Sequence, residues 1–64
     1  MAANYRLKAA RALKGLTQLQ LAERLGMVEH EISRLETGRT QAKRDCKERI
    51  AAVLQKPVFE LFDS

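Results

Sequence analysis

Few side chains in this sequence are of a type that breaks bonds or holds metals, and none has the company such chemistry needs. His30 is the only histidine and Cys46 the only cysteine, so the paired ligands at short spacing that a zinc site requires are missing. Ser33 and Ser64 are the only serines, and no glycine-rich phosphate loop accompanies them. Glu29 and Glu31 stand next but one, a spacing at which helical side chains diverge and cannot share an acid/base task. The expectation is a chain that is not an enzyme and that has no metal, cofactor or small-molecule ligand. What remains is recognition through charge and hydrogen bonding, and the elements that carry those groups decide what is recognised.

Charge narrows the partner. The 64 residues hold 12 Lys and Arg against 8 Asp and Glu, a formal charge of +4 with a pI near 9.7. That balance suits a polyanion without separating DNA from RNA or an acidic protein surface. The charge is unevenly spread: residues 16–38 hold Arg24 and Arg34 against Glu23, Glu29, Glu31 and Glu36, a net of −2, whereas the remainder is net +6. One cysteine forms no internal bridge, no apolar run is long enough for a membrane, and MAANYRL lacks the apolar core of a signal peptide, so a reducing cytoplasm is expected. The length predicts one domain, 1–64, with little core to spare.

Residues 17–38, TQLQLAERLGMVEHEISRLETG, are the stretch the rest is arranged to hold. Thr17 and Gln20 have capping-box spacing, and Leu16 and Leu21 are placed as a hydrophobic staple. A helix should run to Leu25, with Leu21, Ala22 and Leu25 inward, and stop at Gly26. A second helix is expected over 29–36, with Val28, Ile32 and Leu35 as its apolar stripe and Thr37-Gly38 as its stop. Two short helices joined by a tight turn, with the small Ala22 permitting close approach, have the layout of a helix-turn-helix. The second helix of such a unit can turn its outer face to a DNA major groove.

Outside that stretch, Asn4 is expected to cap a first helix over 5–14, with Leu7, Ala10 and Leu13 inward. A longer helix should begin at Ala42 or Lys43 and end at Leu54, burying Ala42, Cys46, Ile50, Val53 and Leu54. Pro57 suits the first turn of a last short helix that closes the core through Val58, Leu61 and Phe62. The prediction is an all-α, compact bundle of about five short helices. Cys46 on its stripe is most simply a small core residue.

The ordered set Thr17-Gln18, Leu21-Ala22, Gly26, Ile32-Ser33-Arg34, Leu35-Glu36 and Gly38 resembles the Cro/C1-type (XRE-like) helix-turn-helix regulators. The resemblance extends before the motif to Leu7, Arg11 and Leu16, and after it to Ile50-Ala51, Leu54 and Leu61-Phe62, so nearly the whole chain is covered. It implies a lambda-repressor-like DNA-binding fold and a sequence-specific regulator of transcription, with a repressor as the natural candidate. It also implies an ion pair between Arg11 and Glu36 that ties the first helix to the recognition helix. Lys47 departs from the family, which has an apolar residue there, so the start of that helix is expected to be looser or rotated.

Carried over residue by residue, the resemblance implies that Val28, Glu29, His30, Ser33 and Arg34 face the bases. Arg34 can contact guanine O6 and N7 bidentately, Glu29 can accept from cytosine N4, Ser33 can serve as donor or acceptor, and Val28 can touch a thymine methyl. Family members often have glutamine where Glu29 stands and a serine or threonine cap where Val28 stands. Phosphates would be met by Thr17 and Gln18 on one side, and on the other by the backbone around Thr37 and Gly38 together with Arg39, Thr40, Lys43 and Arg44. In phage-repressor relatives the last helix forms a two-fold contact, so Phe59 is either part of a homodimer interface or a fourth core residue. A dimer would read an inverted-repeat operator with half-sites about one helical turn apart. The alternative function is a protein-binding adaptor, antitoxin-like or coactivator-like, on the same fold, with its acidic recognition helix against a basic partner.

Overall fold

The computed structural model describes residues 3–62, and among these it contains helices α1 (Tyr5–Leu13), α2 (Gln18–Leu25), α3 (Glu29–Thr37), α4 (Arg44–Leu54) and α5 (Val58–Leu61), with no strand. Ser64 lies outside the described residues. Helices this short are marginal alone, so their caps and mutual packing must hold them.

The caps are specific. Asn4 accepts from the Leu7 N–H, and Thr17 and Gln20 form a complete capping box, with Gln20 N–H on Thr17 Oγ1 at 3.0 Å and Thr17 N–H on Gln20 Oε1 at 2.8 Å. Valine offers α3 no acceptor, and only the returning half of a box forms there: Glu31 Oε1 accepts from the Val28 N–H at 3.1 Å. At the other ends, the chain after α1, α2, α3 and α4 closes with the same pair of hydrogen bonds, illustrated by Gly26 N–H to Glu23 O and Met27 N–H to Ala22 O. The pattern puts a left-handed residue just past each helix; at Gly26 (φ 68°) and Gly38 (φ 78°) glycine adopts it without a Cβ clash. After α4 the position is Gln55, at φ 57°.

All five helices contribute to one core: Leu7 and Ala10, then Leu21, Ala22 and Leu25, Ile32 and Leu35, Ile50, Ala51 and Leu54, and finally Leu61 and Phe62. Leu16, Met27, Ala42, Cys46, Val53 and Val58 are half-buried against it. Ala22 is fully buried where α2 packs on α3, which leaves room for the two backbones to approach.

Three expectations need correction. Leu13 is 81% exposed and not inward. The buried side of α1 is centred between Leu7 and Arg11, because Arg11 turns in toward α3; Leu13 lies roughly 120° around from Leu7 at 100° per residue. α4 begins at Arg44, with Ala42 in the preceding loop and Lys43 as an extended N-cap. Pro57 is the residue just before α5 and not in its first turn. The Lys47 ammonium sits 5.6 Å from the centroid of the buried Phe62 ring, an attractive placement for a cation against a π face.

Candidate nucleic-acid interface

The second helix of the motif, α3, is held at its C-terminal end by α1 from two directions. Glu36 is the one buried charged residue among those described, and its carboxylate takes a fork from Arg11: Nε to Oε2 at 2.6 Å and Nη2 to Oε1 at 3.1 Å. Arg11 Nη1 also donates to the Leu16 carbonyl, and Gln18 Nε2 donates to Glu36 Oε1 at 3.0 Å. The hydrogen bond to Glu36 holds the Arg11 pKa above its ordinary value, outweighing the opposing effect of burial. Meanwhile the Asn4 N–H donates to the Glu36 carbonyl at 2.8 Å, and Asn4 Nδ2 donates to the Leu61 carbonyl. Asn4 therefore joins α1, α3 and the end of α5. No sequence signal beyond an N-cap pointed to that second role.

At the turn between the motif helices, the Arg49 guanidinium donates to the Leu25 carbonyl, the last of α2. A cation at a helix C-terminus complements both the free carbonyls and the dipole. α4 thus fixes the turn end of the motif as α1 fixes its far end.

What α3 presents outward follows from its period. His30, Ser33, Arg34 and Thr37 fall on one side, opposite Ile32 and Leu35, with Glu29 at the Ser33 edge and Glu31 at the Arg34 edge. His30, Arg34 and Thr37 are exposed, Ser33 half-buried, and Val28 stands 60% exposed at the turn. The Thr37 hydroxyl donates back to the Ser33 and Arg34 carbonyls, so its proton is already used. Glu31 is drawn back onto the Val28 N–H, which leaves Glu29 and Arg34 as the outermost charges of opposite sign on this helix.

The residues expected to meet phosphate separate into two groups around that face. Thr17 and Gln18 lie at the start of α2 beside Glu36, close to the C-terminal end of α3. Gln18 is half-buried and one N–H of its amide is donated to Glu36, which leaves the second amide N–H and the backbone N–H groups of Gln18 and Leu19 as the donors at the start of α2. Arg39, Thr40, Lys43 and Arg44 are all exposed on the loop and first turn after α3. A cleft of about 320 Å³ brings Arg34 and Glu31 of α3 opposite Thr40 and Lys43, with Met27 and Cys46 also lining it. Arg44 has only a 3.8 Å surface contact with Glu48, which leaves its charge available to a partner. Phe59 is 73% exposed, so it is not part of the core.

No helix among the described residues is long and apolar enough to cross a membrane, and they contain no cluster of three metal-ligating side chains. No curated protein matches the chain. A model of the helix-turn-helix domain matches residues 5–58, which covers α1 to α4 and reaches the first residue of α5, supports DNA binding, and is consistent with the resemblance in the motif residues. The chain therefore belongs to the helix-turn-helix domain family.

Proposed function

We propose that these 64 residues act as one sequence-specific DNA-binding unit of the Cro/C1 type that regulates transcription, as a repressor, by inserting α3 into the major groove. The observation that carries this reading is the outer face of α3: polar, exposed, on a helix held at its C-terminal end through Glu36, in a motif whose turn is held by Arg49 on Leu25, with exposed cations on the loop that follows. A base-reading helix must be held still, because each misplaced hydrogen bond at a base edge loses its discrimination.

In this reading Arg34 takes guanine, Ser33 and His30 face neighbouring base edges, Glu29 accepts from cytosine N4, and Val28 meets a thymine methyl. Thr17 and Gln18 meet one phosphate run; the chain at Thr37, with Arg39, Thr40, Lys43 and Arg44, meets the other. Phosphate neutralisation rests on the second group, since residues 16–38 are net negative. Phe59, exposed on the last helix, is proposed as a contact in a homodimer that reads an inverted repeat. The reading includes no catalytic step. The net negative motif favours one second reading, an adaptor whose α3 meets a basic protein.

Selection of duplexes from a random pool at fixed, near-physiological salt tests both. A winning sequence bound roughly a thousandfold more tightly than its scramble is the expected result, and two-fold symmetry in the winner would support the dimer. Weak, salt-labile binding with no enriched motif would refute base readout and leave the adaptor.

A further inference from the structure

Three helix ends meet at Asn4. Its Oδ1 accepts the Leu7 N–H in the first turn of α1, its backbone N–H donates to the Glu36 carbonyl in the last turn of α3 at 2.8 Å, and its Nδ2 donates to the Leu61 carbonyl at the end of α5 at 2.8 Å. Each of these is a group that a helix terminus leaves without an intrahelical partner. Arg6 Nη1 adds a bond to the Phe59 carbonyl at 3.3 Å, so the start of α1 holds α5 on both sides of Glu60. α5 packs chiefly on α1 and α4, and α3 on α2 and α1. The shortest hydrogen-bonded route between α3 and α5 therefore runs through this one asparagine.

We propose that Asn4 is a positioning residue that sets the separation of the two α3 helices in the DNA-bound homodimer, by fixing α5, and Phe59 with it, against the end of α3; this rests on the dimeric, operator-reading function proposed above. In a two-fold dimer joined through Phe59, the path from that side chain to α3 in one protomer is repeated in the other, so a rotation of α5 against α3 enters the separation of the reading helices twice. α5 is a single turn of four residues and has little stiffness of its own. Burial of Leu61 and Phe62 keeps it down on the core, but apolar burial has no direction, whereas a hydrogen bond does. The Asn4 amide on the Leu61 carbonyl is thus what orients the turn that carries Phe59. An operator is exacting about such an orientation, since one extra base pair turns the half-sites by about 35° and moves them about 3.4 Å apart.

The test compares the full 64-residue chain with Asn4→Asp and Asn4→Ser on duplexes that carry the selected half-site once, or twice with the spacer between the copies varied one base pair at a time. Both substitutions keep the cap on Leu7 and the backbone bond to Glu36. Asp turns an acceptor toward the Leu61 carbonyl, and Ser is too short to reach it, so Ser decides the matter should the carboxylate unfold the domain. The starting protein should favour its best spacer over the next by at least roughly tenfold, and the variants should bring that ratio below about threefold while binding the single half-site with unchanged affinity. A spacer ratio equal to that of the starting protein would leave Asn4 a plain N-cap and overturn the positioning role. So would a loss of the same factor on every duplex, the single half-site included, which is what lowered stability alone produces. If the starting protein itself shows no enriched half-site or no preferred spacer, the dimeric reading falls and the positioning role falls with it. That failure is told apart from the other two because it is seen before any substitution is made.

Discussion

Breaking the Arg11–Glu36 pair from one side should come close to unfolding the domain. The side chains are 12% and 3% exposed, so whichever partner remains stays out of water. Replacing Arg11 by Met leaves the Glu36 carboxylate with the single Gln18 donor in place of three hydrogen bonds. A buried charge stripped of its partner costs about 3–5 kcal/mol. A domain of this length has a total stability of about 3–10 kcal/mol at roughly 0.05–0.15 kcal/mol per residue. Arg11→Met should therefore lower the thermal midpoint by at least roughly 12 °C, at about 4 °C or more per kcal/mol. Glu36→Leu should do similar damage by stranding the guanidinium. The double variant Arg11→Met, Glu36→Leu should recover to within about 1–2 kcal/mol of the starting protein, because two apolar side chains of similar volume strand no charge. Its remaining cost is the lost partners of the Leu16 carbonyl and the Gln18 amide, which water can reach. On the alkaline side the pair persists: the raised Arg11 pKa means its contribution is complete below the ordinary arginine value and is lost only as pH climbs through the folded one. The assay is urea and thermal unfolding of all four proteins by circular dichroism. Single variants that cost less than about 1 kcal/mol, or costs that simply add in the double, would refute the claim that burial makes this pair strong.

Three further outcomes follow from the same geometry. Lys43→Ala and Arg39→Ala should weaken binding on every duplex and lower the salt slope by about 1 each, whereas Arg34→Ala should cost about 1–3 kcal/mol on the selected sequence and relax base choice; equal loss on all duplexes for both classes would remove Arg34 as a base reader. Gln55→Gly should raise stability by about 0.5–1 kcal/mol, since it removes a side chain from a left-handed position, and urea unfolding will show it; a loss would mean that the Lys14 hydrogen bond to Gln55 outweighs the backbone term. Burial pushes the Cys46 thiol up, so iodoacetamide at pH 8 should modify it more slowly than the same cysteine in urea. A thiol that keeps its proton longer when folded also makes stability fall as pH rises past its unfolded pKa, levelling off above the folded one; a rise in stability over that range would contradict the assignment.

Each motif helix was legible in its own caps and stripe because those signals are local. Thr17 and Gln20 sit three residues apart and satisfy each other wherever the helix goes, and Gly26 and Gly38 mark ends for reasons of their own backbone. The spacing of Leu21, Ala22 and Leu25, and of Ile32 and Leu35, was enough to give the buried sides of α2 and α3, and with them the outward residues of α3. Leu13 misled because apolar period alone cannot say where a stripe is centred. The inward turn of Arg11, set by a carboxylate 25 residues away, rotated the buried side of α1 and left Leu13 in solvent.

Resemblance to relatives supplied the Arg11–Glu36 pairing as an expectation, but only the fold shows how the carboxylate is used. The sequence does not contain the third donor from Gln18, the bridge from Asn4 to Glu36 and Leu61, the Lys47 ammonium over the Phe62 ring, or the Arg49 cap on Leu25. Each joins residues far apart in the chain, and their meeting depends on how five short helices cross. By itself the sequence determined where helices start, stop and face, because capping and periodicity act within a few residues. Tertiary structure alone decided which charges are buried, which amides are already engaged, and that Leu13 of α1 turns outward, because packing brings together groups whose separation along the chain carries no sign of it.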